Sequence, residues 1–225
     1  MTAFLVSLTI FILAHSLPGP TGLRIGLINR FGKKAYIIGY SILSTILLVW
    51  LIWSALNAPY IPLWDPNSAT SLIPVILMLP ACLLFACAIL HPNPLSLSFV
   101  QSPIIKRHDI TNLIRHPLLW ALFLWAASHA IANGDLVGVI MFGGFAIFSL
   151  VGMKIMQRRA KRTLSAEEFH AAITKTSGQF TLRFKRVMGW AFTTELIFGA
   201  LLYVALFHLH EPVIGVDPLA LIMFW

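Results

Sequence analysis

Residues 35–56 read AYIIGYSILSTILLVWLIWSAL, an uninterrupted run with no charged side chain. Lys33 and Lys34 precede it, and Asn57 closes it. As an α-helix the run would extend roughly 33 Å, matching the ~30 Å hydrocarbon core of a bilayer. A soluble protein would have to bury every face of such a helix, whereas lipid solvates all of them.

Five further apolar runs lie outward from this one, at 2–17, 71–91, 117–133, 136–157 and 191–209. Pro18-Gly19-Pro20 stops the first. Pro80 predicts a kink in the middle of the 71–91 run. Pro117 opens the next at the first helical position. Asn133-Gly134-Asp135 reads as a tight turn between 117–133 and 136–157. The 225 residues are 58% hydrophobic and 11% charged, with mean hydropathy +0.84. That is more apolar side chain than a soluble core of this size takes in. The expected fold is an all-α integral membrane bundle of about six transmembrane helices, forming one domain over 1–225. Opening on Met1-Thr2-Ala3-Phe4, with no basic segment, the first run reads as a retained helix rather than a cleaved signal.

The charges fall between the runs or at their ends, in alternation. Arg24, Arg30, Lys33 and Lys34 lie in the first connection. Lys106, Arg107 and Arg115 lie in the third, and Lys154 through Arg162 with Lys175, Arg183, Lys185 and Arg186 in the fifth. The other connections and the C-terminal end carry Asp65, Asp135, Glu211 and Asp217 without Lys or Arg. The positive-inside rule then puts the basic connections, including a loop at 158–190, in the cytoplasm and both termini outside. The formal charge of +8 therefore points to anionic lipid rather than nucleic acid, which needs a soluble basic surface. Within the long loop, Ser165-x-x-Glu168 predicts a capping box and a short helix through Thr174, with Gly178 as its stop. Phe180, Leu182 and Phe184, interleaved with basic residues, read as an interfacial segment. Cys82 and Cys87, five positions apart on one helix, sit too far apart for a disulfide and read as buried small side chains.

Histidines in hydrocarbon need an explanation. His15 and His129 are the most deeply embedded of eight. Leu118, Leu122, Trp125 and His129 follow at helical spacing, as do Leu8, Phe11, Ile12 and His15, so each histidine shares a stripe with an aromatic ring. Interhelical packing with a hydrogen bond explains such stripes, and so does axial ligation of a haem, since imidazole suits iron and an apolar stripe suits a porphyrin face. Without Cys-x-x-Cys-His, that haem would be the non-covalent b type. By depth alone His91 or His116 are the easier partners for His15, and His208 for His129. Glu195 and Lys154 read as an ion pair, or Lys154 as a snorkelling side chain. Gly138, Gly143, Gly144 and Gly152 predict close helix packing.

Ala14-His15-Ser16, then Thr111 through Pro117, then Trp125 through Asp135, and finally Arg158-Arg159-Ala160-Lys161-Arg162 together resemble the NnrU family over nearly the whole chain. That family is linked to bacterial denitrification and nitric-oxide metabolism. It is similar to the 15-cis-zeta-carotene isomerase of plants and cyanobacteria, a haem b membrane enzyme. The resemblance implies a multi-pass protein of the bacterial inner membrane with haem b held by His15 and His129. Trp125, Arg115 and His116 complete the candidate cofactor-binding set, and a hydrophobic substrate is the corresponding partner. Ala126 stands where the isomerase carries a cysteine, so a ligand switch through that cysteine is absent here. Arg115-His116-Pro117 also resembles the motif of membrane methyltransferases that use S-adenosylmethionine, with Glu167-Glu168 loosely like their acidic segment. A non-catalytic accessory protein is the third reading.

Overall fold

The computed structural model describes residues 1–19, 21–97, 113–175 and 190–222, and these are all-helical apart from one isolated bridge between Pro62 and Asp135. Thr111, Asn112, Lys106, Arg107, His108, Gly178, the Phe180–Arg186 segment and Trp225 lie outside the described residues. Eight helices are described: α1 Thr2–Ser16, α2 Leu23–Phe31, α3 Lys33–Leu56, α4 Ser68–Leu90, α5 Pro117–Asn133, α6 Leu136–Thr163, α7 Ala166–Lys175 and α8 Trp190–Ile214. Six of them coincide with the six apolar runs. α3, α4, α6 and α8 are long and apolar enough to cross a membrane. α1 and α5 are apolar but only 15 and 17 residues long, or about 22 and 25 Å.

Two compact units divide the chain. The first comprises 1–63 with 135–137, and in it α3 packs against α1 and α2. Phe4 and Leu51 are fully buried at the α1–α3 contact. Beside them the hydroxyls of Ser7 and Ser54 meet at 2.6 Å. Each hydroxyl also reaches a carbonyl three residues back on its own helix, so neither is left unsatisfied in an apolar setting. The other side of α3 is bare hydrocarbon: Ile42, Ile46, Val49 and Trp53 form an exposed stripe at helical spacing. That surface suits acyl chains and would be an aggregation patch in water.

α2 was not foreseen. Its segment reads as a basic connection, too short for a span, yet Gly22 and Gly32, both at positive φ, bracket a nine-residue helix. Leu23, Ile25 and Phe31 are exposed on it beside Arg24 and Arg30, a composition suited to lying in a membrane interface.

The second unit comprises 64–134 and 138–225, and in it α4 packs against both α5 and α8. Leu84, Cys87 and Ala121 form a core backed by Phe85, Leu124 and Phe192. Cys82 and Cys87 are buried free thiols, as expected. α4 opens on a reciprocal cap between Asn67 and Thr70 and continues unbroken through Pro74 and Pro80. The close approach in this unit is made at Gly199, where a Cβ would come within 2.8 Å of the Leu83 Cα. Gly143 and Gly144, expected to serve that role, have nothing within 4 Å of a Cβ, and Gly152 only touches Leu119. The predicted capping box is present: Glu168 N–H donates to Ser165 Oγ, and Ser165 N–H donates to the Glu168 carboxylate. The helix it starts, α7, packs Phe169, Ala172 and Ile173 on Leu95, Ala160 and Leu164.

Candidate functional site

His15 and His129 share one local chemistry. His15 lies in the last turn of α1, in the first unit, and its Nδ1–H donates to the Phe11 carbonyl at 2.7 Å. His129 lies in α5, in the second unit, and its Nδ1–H donates to the Trp125 carbonyl at 2.7 Å. A carbonyl only accepts, so Nδ1 carries a proton, and in the neutral ring the lone pair is then on Nε2. This is the arrangement that a carbonyl hydrogen-bonded to the far ring nitrogen imposes on metal-bound histidines. The helix supplies it locally, because the partner carbonyl belongs to the residue four positions back.

The two differ at Nε2. That of His15 accepts a hydrogen bond from the Ser44 hydroxyl of α3 at 2.8 Å. Phe11 lies against its ring at 4.2 Å and Tyr40 meets it edge-on at 5.7 Å. That of His129 has no hydrogen-bond partner among the described residues. Its ring rests 5.3 Å from Phe142 and 5.9 Å from Trp125. Trp125 in turn stacks on Phe145 at 5.9 Å and meets Phe142 edge-on at 5.4 Å. The expected Trp125–His129 face therefore exists, and α6 extends it into an aromatic shelf. The imidazole facing His129 is His210, at 6.3 Å between ring centres, rather than His208, whose Nδ1–H donates to the Val204 carbonyl. Among the described residues no three His, Cys, Asp or Glu side chains converge as a metal centre.

Arg115 and His116 belong to the opposite end of α5. His116 is its N-cap residue, 6% exposed, with Pro117 following at the first helical position. Burial and then the adjacent Arg115 cation hold His116 below the usual histidine range, so the imidazole is neutral at pH 7. Both residues line a groove of about 700 Å³ whose apolar side includes Pro80, Leu84, Trp120 and Leu124.

Beside this groove's helices lies a cluster that sequence reasoning assembled wrongly. His91 ends α4, and its Nε2 is 3.0 Å from the Glu195 carboxylate on α8. Glu195 is 1% exposed. The expected Glu195–Lys154 pair does not form: Lys154 is exposed and lines the groove instead. Two residues on, the Asn93 side chain donates to the Arg115 carbonyl at 2.8 Å and accepts from the Leu95 N–H. The signal for this cluster was the presence of His91, Asn93 and Glu195 at the ends of apolar runs, but nothing in their spacing says which would meet.

The profile of the family described as NnrU protein matches residues 3–218. The chain belongs to the NnrU family. No curated protein and no solved structure matches it. NnrU membership thus covers both units, including His15, His129, Trp125 and the Arg115-His116 pair.

Proposed function

We propose that this NnrU-family chain is one transmembrane domain of the bacterial inner membrane, spanning it about six times with both termini outside, and that it holds haem b through His15 and His129. The observation that supports the reading is the contact of Nδ1 with a backbone carbonyl in both histidines, which leaves Nε2 as the nitrogen that could ligate iron. Trp125 and Phe142 would hold the His129 ring and give the macrocycle an apolar wall. Tyr40 and Phe11 would do the same for His15, with the Ser44 hydroxyl giving up its hydrogen bond to Nε2. Haem b supplies a one-electron redox centre and an electrophilic iron.

The chemistry we favour is linked to nitric-oxide and denitrification metabolism, ahead of polyene isomerisation of the zeta-carotene type. Ala126 is fully buried and offers no thiolate to exchange for His129, which removes the ligand switch available to a cysteine.

The test is the visible spectrum of the purified protein. Two neutral imidazoles give a low-spin, six-coordinate iron. His129→Ala should lose the Soret band or convert it to a five-coordinate form, and His15→Ala should do likewise. Unchanged spectra in both variants would return both residues to packing roles. A colourless wild-type protein would sink the haem reading and favour a methyltransferase using S-adenosylmethionine or an accessory protein.

A further inference from the structure

The groove at the start of α5 is charged on one side only. Arg115 and Lys154 line it together with His116, and no carboxylate does so among the described residues. Lys154 is exposed and makes no ion pair among the described residues. His116 is more than nine-tenths buried, yet its Nδ1 has no hydrogen-bond partner among the described residues. A buried ring nitrogen without a partner costs stability unless something else meets it. α5 also opens without a side-chain cap, so the positive end of its dipole stands at the same place. The two cations, the partnerless imidazole nitrogen and the helix N-terminus thus each favour an anion in this groove.

Apart from Gln157, the rest of the groove is apolar among the described residues. Pro80 lies ten residues before the end of α4, or about 15 Å along that helix, and it lines the groove with Leu84, Leu124 and Trp120. A small soluble anion would leave that wall unused. S-adenosylmethionine carries a sulfonium and an ammonium, for which the lining provides no negative partner among the described residues. A lipid with an anionic headgroup matches both parts at once, and Lys154 belongs to the basic stretch that continues through Arg158, Arg159, Lys161 and Arg162.

We propose that this groove binds an anionic phospholipid, its phosphodiester held by Arg115, His116 and Lys154 and an acyl chain lying along the apolar wall toward Pro80. His116 donates its Nδ1–H to a phosphate oxygen, Arg115 supplies the guanidinium fork, and Lys154 adds a point charge at the mouth.

The full chain, purified in a neutral detergent, is equilibrated with dioleoyl-phosphatidylglycerol or dioleoyl-phosphatidylcholine, and retained lipid is read by native mass spectrometry. Wild-type protein should retain the glycerol lipid on the order of tenfold better than the choline lipid. Lys154→Gln, at an exposed position that leaves the fold intact, should reduce that preference about fivefold. Arg115→Gln should reduce it about tenfold or more, through loss of charge-assisted hydrogen bonds. Glycerol 3-phosphate, which has a phosphate but no chain, should fail to displace the lipid. Equal retention of the two lipids overturns the proposal, as does an unchanged preference in both variants. Displacement by glycerol 3-phosphate at comparable concentration would also overturn it, leaving a soluble-anion site. The readout is independent of haem content.

Discussion

The two ends of α5 use histidine in opposite ways. At its N-terminal end two polar contacts are covered, His91 against Glu195 and Asn93 against the Arg115 carbonyl, while His116, beside them at the helix cap, keeps an Nδ1 without a partner among the described residues. At its C-terminal end His129 stands among rings, with one nitrogen spent on its own helix and the other without a partner among the described residues. The first arrangement ties elements together, because buried polar groups are stable only when they meet one another. The second spends only a local hydrogen bond and leaves the other nitrogen unshared among the described residues, which is what a ligand needs. A histidine in a membrane helix is therefore read by what its second nitrogen does rather than by its depth.

The largest expected effect tests the scaffolding half of this contrast. Glu195→Ala leaves His91 facing an unfilled, nearly solvent-free site, and should cost about 3 kcal/mol of stability. Denaturant unfolding in detergent measures it. The Soret position of any haem-loaded protein should stay where it is below the transition, since His129 lies at the far end of α5. A loss under 1 kcal/mol would mean that the His91–Glu195 contact holds nothing together. The next effect belongs to the other end. Gly134 ends α5 at φ +68°, and a Cβ there would run into the Trp64 carbonyl. Gly134→Ala should cost about 2 kcal/mol, since a left-handed conformation disfavours any L side chain. Thermal melting checks this, with Gly143→Ala as the control, because a Cβ at Gly143 meets nothing within 4 Å.

The six apolar helices were legible because a membrane-length run carries its own signal, independent of what it packs against. The α7 start was equally legible, since a capping box is closed within four residues. What failed needed knowledge of neighbours. Gly143 and Gly144 on α6 looked like packing positions, yet a Cβ at either meets nothing within 4 Å, while Gly199 on α8 lies close against Leu83. Glu195 and Lys154 matched in depth and sign, but depth does not fix azimuth, and Glu195 faces His91. α2 escaped because nine residues between two glycines are too few to show as a span. At the candidate site, the stripe joining Trp125 and His129 was readable from spacing on one helix. The shelf from Phe142 and Phe145, the His210 neighbour and the groove at Arg115 were not, since each depends on a second helix.

The smallest effect concerns pH and the histidine between scaffold and groove. His116 is held below the ordinary value of 6.5, first by burial and then by Arg115, and Lys154 lines the same groove. Burial and the Arg115 cation both oppose protonation of the folded form. In the window from 6.5 down to the depressed native value, the unfolded chain binds a proton that the folded chain refuses. Stability should thus be level above pH 6.5 and decline as pH falls through that window. Other histidines titrate in the same range, so the quantity to measure is the difference between wild type and His116→Gln, whose amide does not titrate. That difference should shift against the wild type on acidification, and bound anionic lipid should weaken the shift by favouring the imidazolium. A difference curve that moves in favour of wild type as pH falls would show that His116 gains an anionic partner on folding. It would then belong with His91 and Glu195, in the scaffold rather than at the mouth of the groove.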